Sequence, residues 1–310
     1  MRSIIVFSLF LKSVLVLSQP EKLIPKIEGE GWKITGTAKL KSKPGREIDV
    51  VDHSFIKRAD GKWMVWAAVR NAIPDHPFYA WEATSLTDKN WKDLGIAATA
   101  SATYGEDTTK GIYAPHFVKI GNKYYCYYTS EGLFVMESED GKSFKRYRDK
   151  RGNYELAEKL VGRDVMIFQE EGKYYAFSCI STFDRKGWHQ GQVIVTFAKY
   201  QTDPLDWQYP EYSIVNQGGQ GGNGHVSSES PFVVKMKGYY YLFRASSMTF
   251  KTYVYRSDNL FDFGTNTDAK LVAVLPLKAP ELIEENGQWF ISDLDDFRGL
   301  KLYKLKWEKE

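Results

Sequence analysis

Short runs in which apolar and polar residues alternate recur five times along the chain, each broken by a turn that contains glycine. Alternation with a period of two residues predicts β-strands, and no stretch has a convincing helical period. The chain is therefore predicted to be all-β and built from a repeated unit. The turn and the aromatic start of the next run read Gly61–Trp63, Gly121–Tyr124, Gly172–Tyr174, Gly238–Tyr240 and Gly287–Trp289.

The second repeat gives the clearest picture of the unit. Ala114–Ile120, Lys123–Ser130 and Gly132–Glu137 are predicted strands, and the turn Ser138–Gly141 leads to a fourth. Four short strands in each unit of roughly 50–65 residues are typical of a propeller blade. We predict a five-bladed β-propeller, because a β-sandwich or a solenoid explains the regular paired hairpins less well.

The last repeat is one strand short. Glu281–Glu284, Trp289–Leu294 and Leu300–Trp307 supply only three strands before the sequence ends. Trp32–Lys41 alternates as a strand ahead of the first repeat. We predict that it completes the last blade and closes the ring, because an exposed sheet edge is prone to pair with other chains.

The first residues have the pattern of an export signal. Arg2 precedes the mostly apolar stretch Ile4–Leu17, and compact residues follow at a possible cleavage site, so residues 1–18 are predicted to be a signal peptide. Residues 19–45 would form an N-terminal segment that carries the ring-closing strand, and residues 46–310 the propeller. This organisation predicts a secreted or periplasmic protein without a membrane span.

Charge and cysteine content narrow the possible partners. The formal net charge of +3 falls by two when Arg2 and Lys12 leave with the signal peptide. A nearly neutral chain gives no reason to expect nucleic acid or a membrane surface as a partner. Cys126 and Cys179 are the only cysteines, and we predict two buried free thiols rather than a disulfide.

The position that opens each repeat distinguishes the five copies chemically. It is occupied in turn by Asp52, Ala114, Asp164, Glu229 and Ala279. Equivalent positions of a propeller lie around one axis, so the three carboxylates are predicted to converge on one site. Their mutual repulsion should raise at least one pKa and keep that group protonated near neutral pH. A protonated acid facing an ionised carboxylate is what cleavage of a glycosidic bond requires.

Four motifs resemble glycoside hydrolase family 43, in the clan that also contains families 32 and 68. The likeness covers residues 46–310, and it implies that Asp52 is the general base, Glu229 the general acid and Asp164 the residue that orients and tunes. It also implies an oligo- or polysaccharide substrate and inversion, and we expect action at a chain end. The motifs are Val51-Asp52-His53-Ser54-Phe55, Tyr113-Ala114-Pro115-His116-Phe117, Arg163-Asp164-Val165-Met166 and Ser228-Glu229-Ser230-Pro231-Phe232.

Two departures from the family pattern keep alternatives open. Arg163-Asp164 also resembles the Arg-Asp-Pro motif of family 32, which implies a retaining fructosidase with Asp52 as the nucleophile. Family 43 members commonly have a histidine linked to a channel calcium where this chain has Phe290–Asp293, so calcium is a doubtful cofactor and none is required. A non-catalytic carbohydrate-binding propeller is the remaining alternative, although binding alone does not need three acids in one slot.

Four further residues are candidate substrate ligands because of their side chains and positions. Arg163 and Arg244 carry planar donor groups that suit sugar hydroxyls or a carboxylate. An ion pair with a catalytic acid is an equal alternative for Arg244, which lies in a strand rich in aromatic residues. His53 and His116 flank the aligned strand starts and are expected at the rim of the pocket.

The remaining candidates lie in loops and in the last blade. Gln217–Gly224 contains five glycines and is predicted to form either a lid over the pocket beside His225 or a connector between blades. Trp188 is a candidate sugar platform, with a surface aromatic residue as the alternative. Asp293 is a candidate acid near the site.

Overall fold

The computed structural model describes residues 21–149, 151–156, 161–183, 189–198, 207–217, 219–265 and 267–310. The predicted signal peptide, residues 1–18, lies outside the described residues. Within these ranges, no helix is long and apolar enough to cross a membrane.

Nearly all regular structure in the described residues is β-strand, as predicted. The helical segments are two single 3-10 turns, Ala102–Tyr104 and Asp295–Phe297. The first strands are β1 (Leu23–Thr35), β2 (Lys41–Ser42), β3 (Asp49–Lys57), β4 (Trp63–Arg70), β5 (Ala72–Ile73), β6 (Phe78–Ala83), β7 (Lys92–Ala98), β8 (Tyr113–Ile120), β9 (Lys123–Ser130), β10 (Gly132–Ser138) and β11 (Lys145–Arg146). The others are β12 (Arg163–Glu170), β13 (Lys173–Phe183), β14 (His189–Ala198), β15 (Trp207–Asn216), β16 (Glu229–Met236), β17 (Tyr239–Ser246), β18 (Lys251–Ser257), β19 (Leu271–Leu275), β20 (Leu282–Glu285), β21 (Gln288–Asp293) and β22 (Leu300–Lys309).

Twenty of the strands form five four-stranded antiparallel sheets, which are the five predicted blades, and β2 pairs with β5 in a separate two-stranded sheet. Blade one contains β3, β4, β6 and β7, and blades two, three and four contain β8–β11, β12–β15 and β16–β19. In blades one to four the innermost strands of neighbouring blades contact one another, β3 with β8, β8 with β12 and β12 with β16. The three strands predicted in the second repeat are confirmed to within one residue at each end.

Blade five joins the two ends of the described chain. Its strand order is β20, β21, β22 and β1, so its outermost strand comes from the N-terminal segment. That strand is Leu23–Thr35, which pairs with β22, and not the predicted Trp32–Lys41. The prediction was wrong in its bounds because the polar run around Glu28–Glu30 hides the strand pattern. An irregularity in pairing between Glu28 and Trp32 accommodates this run.

The hydrophobic core is divided among the seams between blades. Five clusters of buried residues occur, and each of them draws side chains from two neighbouring blades. In the seam between blades five and one, for example, Val65 and Trp81 pack with Phe290 and Leu302. Cys126 and Cys179 are buried free thiols, as predicted. Because the seams form a ring, closure at blade five supports every other seam.

Gly299 tests the importance of this closure. A Cβ atom at Gly299 would lie 2.2 Å from the carbonyl oxygen of Thr35, where β1 ends and β22 begins. We expect Gly299→Ala to lower the free energy of unfolding by about 3 kcal/mol or more, because backbone must move. Gly287→Ala is the matched control, since its φ is also positive but no atom lies within 4 Å. The control should cost about 1 kcal/mol, and equal losses in denaturant titrations would contradict this account.

Candidate active site

The innermost strand of each blade begins with a kink in the left-handed backbone region. The residues at the kinks are Asp52, Ala114, Asp164, Ser230 and Ala279, with φ between 28° and 56°. In blades one to four the kink coincides with a shift in strand register. Bulges of this kind redirect side chains, and here they do so around the propeller axis.

This geometry corrects the alignment of the repeats in blade four. The kinked residue is Ser230, not Glu229, and Ser230-Pro231 corresponds to Ala114-Pro115. Glu229 pairs with Ala245 in the ladder just before the register shift, as Arg163 pairs with Cys179 in blade three. The prediction of three acids at one equivalent slot was therefore wrong by one residue for Glu229. The three carboxylates nevertheless border connected spaces.

A cavity of about 610 Å³ opens at one end of the axis, and a space of about 20 Å³, enough for one water, lies beneath it. Asp52 lines both spaces, Glu229 lines the larger and Asp164 the smaller. Asp52 thus lies at the junction between them. The other residues lining the large cavity are Val51, Arg70, Asp75, His76, Thr109, Lys110, Tyr113, Ser230, Ala245, Ser246, Ser247, Phe250, Lys278, Ala279, Leu294 and Phe297.

Arg163 connects two of the three acids. Its Nη2 donates to Glu229 Oε1 at 3.4 Å, and its Nε lies 3.9 Å from Asp164 Oδ2. The same Nη2 donates to the carbonyl oxygen of His225 at 2.9 Å. The backbone N–H of Ser230 donates to Asp164 Oδ2 at 3.2 Å. In the structure Arg163 therefore positions the acids, and it is absent from the lining of the cavity.

Burial raises the pKa of all three acids. For Asp52 the pKa rises to about 8, first through loss of water and then through repulsion by Asp164 and Glu229. Burial is also the largest cause for Asp164 and for Glu229, whose pKa is raised further by Asp164. The Ser247 hydroxyl, which donates to Glu229 Oε2, and the Arg163 guanidinium lower the pKa of Glu229 in part. The site therefore resists carrying three negative charges.

The structure places His53 and His116 in the channel beneath the cavity, and not at its rim as predicted. His53 is 3% exposed and its Nε2 lies 2.6 Å from the hydroxyl oxygen of Ser292. Burial lowers the pKa of His53 to about 3 and that of His116 to about 4, so both are neutral at neutral pH. The kink redirects the residues after it, so that His53, one position after Asp52, and His116, two positions after Ala114, both line the channel. A strand pattern does not reveal this change of direction.

Arg244 was predicted to contact substrate or a catalytic acid, but it is not among the residues that line the cavity. It is 1% exposed, and its guanidinium donates to Asn216 Oδ1 at 3.0 Å, the Tyr255 hydroxyl at 3.0 Å and the carbonyl oxygen of Gln220. None of these partners lines the large cavity. Arg244 therefore anchors the glycine-rich segment Gln217–Gly224 to blade four, and the described part of that segment is a connector outside the cavity lining.

The other three candidates have separate locations. His225 is exposed, and its carbonyl oxygen is the group that contacts Arg163. Asp293 accepts a hydrogen bond from the backbone N–H of Lys278 at 2.7 Å. This bond fixes the segment around Lys278 beside the cavity, although Asp293 itself does not line it. Trp188 lies outside the described residues.

Several residues at the site were not singled out from the sequence. Ser247 contacts Glu229, and Arg70, Asp75 and Tyr113 line the cavity. Glu281 is partly buried beside Asp52 in the channel, and it accepts a hydrogen bond from the Ser54 hydroxyl at 3.2 Å. Loss of water around its carboxyl raises its pKa well above the usual range. Two of them carried a sequence signal, since Glu281 follows the Ala-Pro pair of the fifth repeat and Tyr113 precedes that of the second.

The channel does not fit a calcium ion held by the protein alone. Calcium takes about six to eight oxygen ligands, whereas the channel is lined by two imidazoles, from His53 and His116, and three carboxyl groups, from Asp52, Asp164 and Glu281. Among the described residues, no group of three or more His, Cys, Asp or Glu side chains is arranged to hold a metal ion.

Solved structures share the architecture. A thermostable family-43 glycoside hydrolase matches with a TM-score of 0.63 and 16% identity, over 86% of this chain and 92% of the other. A β-xylosidase/α-arabinofuranosidase from a compost microbial metagenome gives 0.54 and 16%, over 87% and 94%. An exo-1,5-α-L-arabinanase from a bovine ruminal metagenomic library gives 0.55 and 15%, over 83% and 92%. At these identities the likeness establishes the fold.

Sequence comparison gives the family. Curated protein sequences gave no match. The family model of glycosyl hydrolases family 43 matches residues 49–273, which is most of the chain. The matched segment includes Asp52, Asp164 and Glu229. The chain therefore belongs to glycosyl hydrolases family 43, and it is a glycosidase with the five-bladed propeller of that family.

Proposed function

We propose that this protein is an exported glycoside hydrolase that removes a terminal sugar with inversion at the anomeric carbon. In this proposal Asp52 is the general base, Glu229 the general acid, and Asp164 orients the acid and tunes its pKa. One observation carries the assignment. Asp52 lies at the base of the cavity, while Arg163 bridges Asp164 to Glu229 in its wall.

The reaction needs one proton transfer at each acid. Asp52 takes a proton from a water molecule, whose oxygen attacks the anomeric carbon. The bond between that carbon and the glycosidic oxygen breaks, and Glu229 gives its proton to the departing oxygen. The products leave Asp52 protonated and Glu229 ionised, and exchange with solvent restores the starting state.

The raised pKa of Asp52 constrains how the protons are shared. A general base must be ionised, yet burial raises the pKa of Asp52 to about 8. Asp52 and Glu229 repel each other, so the pair titrates jointly and holds one proton over an intermediate pH range. The reactive arrangement has that proton on Glu229. Arg70 favours it, because its positive charge lowers the pKa of Asp52.

The shape of the cavity supports action at a chain end. Its volume of about 610 Å³ is that of a small-ligand pocket, and the narrow channel closes its base. Aryl β-xylosides and α-arabinofuranosides are the first substrates to test, because β-xylosidase/α-arabinofuranosidase and arabinanase are among the proteins of similar fold.

Substitution of the two acids should separate their roles. We expect Glu229→Gln to lower kcat/KM by about 10²–10⁴ on substrates with poor leaving groups. The loss should be much smaller on activated aryl glycosides, whose leaving groups need no proton. Asp52→Asn should lower kcat/KM on both kinds of substrate. Glu139→Gln, an exposed acid on blade two, is the control. Full activity of Asp52→Asn and Glu229→Gln on all substrates would rule out the assignment.

The pH dependence of Glu229→Gln tests the coupling between the two acids. Activity should fall at low pH as Asp52 gains a proton. Glu229 is one of the charges that raise the pKa of Asp52, so its replacement by neutral glutamine should move the acidic limb of the kcat/KM profile to lower pH. Activated aryl glycosides allow this measurement. A limb that stays in place or moves upward would show that the two acids are not coupled.

The stereochemistry of the first product tests inversion. A water between base and sugar attacks from the face opposite the leaving group, so NMR during the first minutes of hydrolysis should detect the anomer opposite to that of the substrate. Retention of configuration would instead favour Asp52 as a nucleophile, as in the family 32 alternative.

The cluster of acids should reduce stability as pH rises. The pKa of Asp52 is higher in the folded chain than the ordinary value of about 3.9, so ionisation between these two values costs folding free energy. We expect Asp52→Asn to stabilise the protein by about 2 kcal/mol at pH 8, and to change little at pH 4. Thermal unfolding at both pH values measures this, with Glu139→Gln as the control. Equal effects at the two pH values would contradict it.

A further inference from the structure

Two phenylalanines at the rim of the cavity have unusual backbone conformations. Phe250, between β17 and β18, has φ +52°, and Phe297, in the 3-10 turn of blade five, has φ +65°. A bulky residue in the left-handed region is strained, and such strain concentrates at functional sites. Both side chains line the cavity, and Phe250 is 49% exposed. Their rings meet edge to face, with centroids 6.0 Å apart.

This aromatic pair lies on the side of the cavity where the leaving group must depart. Ser247, whose hydroxyl contacts Glu229, belongs to the same β17–β18 connection as Phe250. The proposed acid gives its proton to the glycosidic oxygen, so the sugar beyond that oxygen extends past Glu229. Phe250 is therefore placed to stack against the sugar of the leaving group.

Cations accompany the aromatic pair. Lys278 Nζ lies 5.8 Å from the ring centre of Phe250 and 5.3 Å from that of Phe297, and the Arg70 guanidinium lies 5.5 Å from Phe297. Lys278, Arg70 and Lys110 all line the cavity. The rim thus presents positive charge above a floor of carboxyl groups.

The acids that pair with these cations leave the cations available to a ligand. Lys278 pairs with Asp296, Arg70 with Asp49 and Lys110 with Glu131, and none of these acids lines the cavity. Asp296 is 88% exposed, and exposed pairs of this kind contribute little free energy. Asp75, the acid that does line the rim, is neutralised by Lys43 at 2.5 Å. An anionic ligand at the rim would therefore meet cations whose paired acids lie outside the cavity lining, while Asp52 and Glu229 lie at the floor.

We propose that Phe250, Phe297 and Lys278 form a binding site for an acidic sugar in the leaving group, one that carries a carboxylate or a sulfate ester. The aromatic pair supplies the stacking surface and Lys278 supplies the charge. This rests on the proposed function for the side from which the leaving group departs. It makes Lys278 a residue that determines specificity rather than a catalytic one.

Binding to the full chain carrying Glu229→Gln tests the proposal, because that variant is expected to slow turnover of oligosaccharides by about 10²–10⁴. The probes are three short oligosaccharide pools of matched length, which are neutral, uronic-acid-bearing and sulfated, titrated by calorimetry. We expect at least one acidic pool to bind about tenfold more tightly than the neutral pool at low salt, with the advantage shrinking as salt rises. The acidic pool that binds identifies the anionic group.

Two further substitutions separate charge from stacking. Lys278→Met should abolish the preference for acidic probes and leave affinity for the neutral pool within about twofold, whereas Lys251→Met, at an exposed neighbour of Phe250 outside the cavity lining, should change neither. Phe250→Ala should weaken all pools about tenfold, with Phe261→Ala on the outside of blade four as its control.

The proposal is overturned if neutral and acidic pools bind alike, if no pool binds, or if Lys278→Met weakens all pools equally. These outcomes are independent of the catalytic assignment. That assignment fails when Asp52→Asn and Glu229→Gln retain hydrolysis, which analysis of the calorimeter mixtures for released sugar detects separately from binding.

Discussion

The left-handed kink at the start of each innermost strand is the constraint on which the site depends. Without it, strand alternation would turn neighbouring side chains to opposite faces of a blade. With it, consecutive residues such as Asp52 and His53 both reach the axis, one at the junction of the cavity and channel and the next below it. Each kink is stabilised because the rest of its strand still pairs with the second strand of the blade, while its side chains pack in the seams between blades.

Nearby hydrogen-bond donors and cations offset part of the electrostatic repulsion among the three acids. Arg163 lies beside Glu229 and Asp164, the Ser247 hydroxyl donates to Glu229, and the Ser230 N–H donates to Asp164. Asp52 has the least direct support, since only the more distant charges of Arg70 and Arg163 lower its pKa. Because Asp52 and Glu229 both have raised pKa values and Glu229 repels the charged form of Asp52, the pair keeps one proton in the site over an intermediate pH range.

The sequence predicted the chemistry of the floor better than its geometry. Repeated turns and aromatic residues sufficed to place five blades, and the residue type at the opening position singled out Asp52 and Asp164. Glu229 was selected although its alignment was one residue off. It directly precedes Ser230-Pro231, the counterpart of the Ala-Pro pairs, and was therefore aligned with the opening position. His53 and Arg244 were misplaced, since exposure depends on the direction of a side chain after a kink and on long-range partners such as Asn216.

The aromatic residues at the rim of the cavity could not be predicted from sequence patterns, for a different reason. Asp52, Asp164 and Glu229 lie on strands, whose repeats can be aligned, whereas Phe250 and Phe297 lie in the connections between the second and third strands of blades four and five. These connections share no sequence motif that would align them. Their conformations are fixed by contacts between blades four and five, which join only in the folded ring. Strands build the floor of the cavity, and connections build its rim. Changes in the connections can therefore alter the sugar accepted beyond the cleaved bond while the reaction at the floor stays the same. In our proposal the strained Phe250 and Phe297 determine which sugar this chain accepts beyond the cleaved bond.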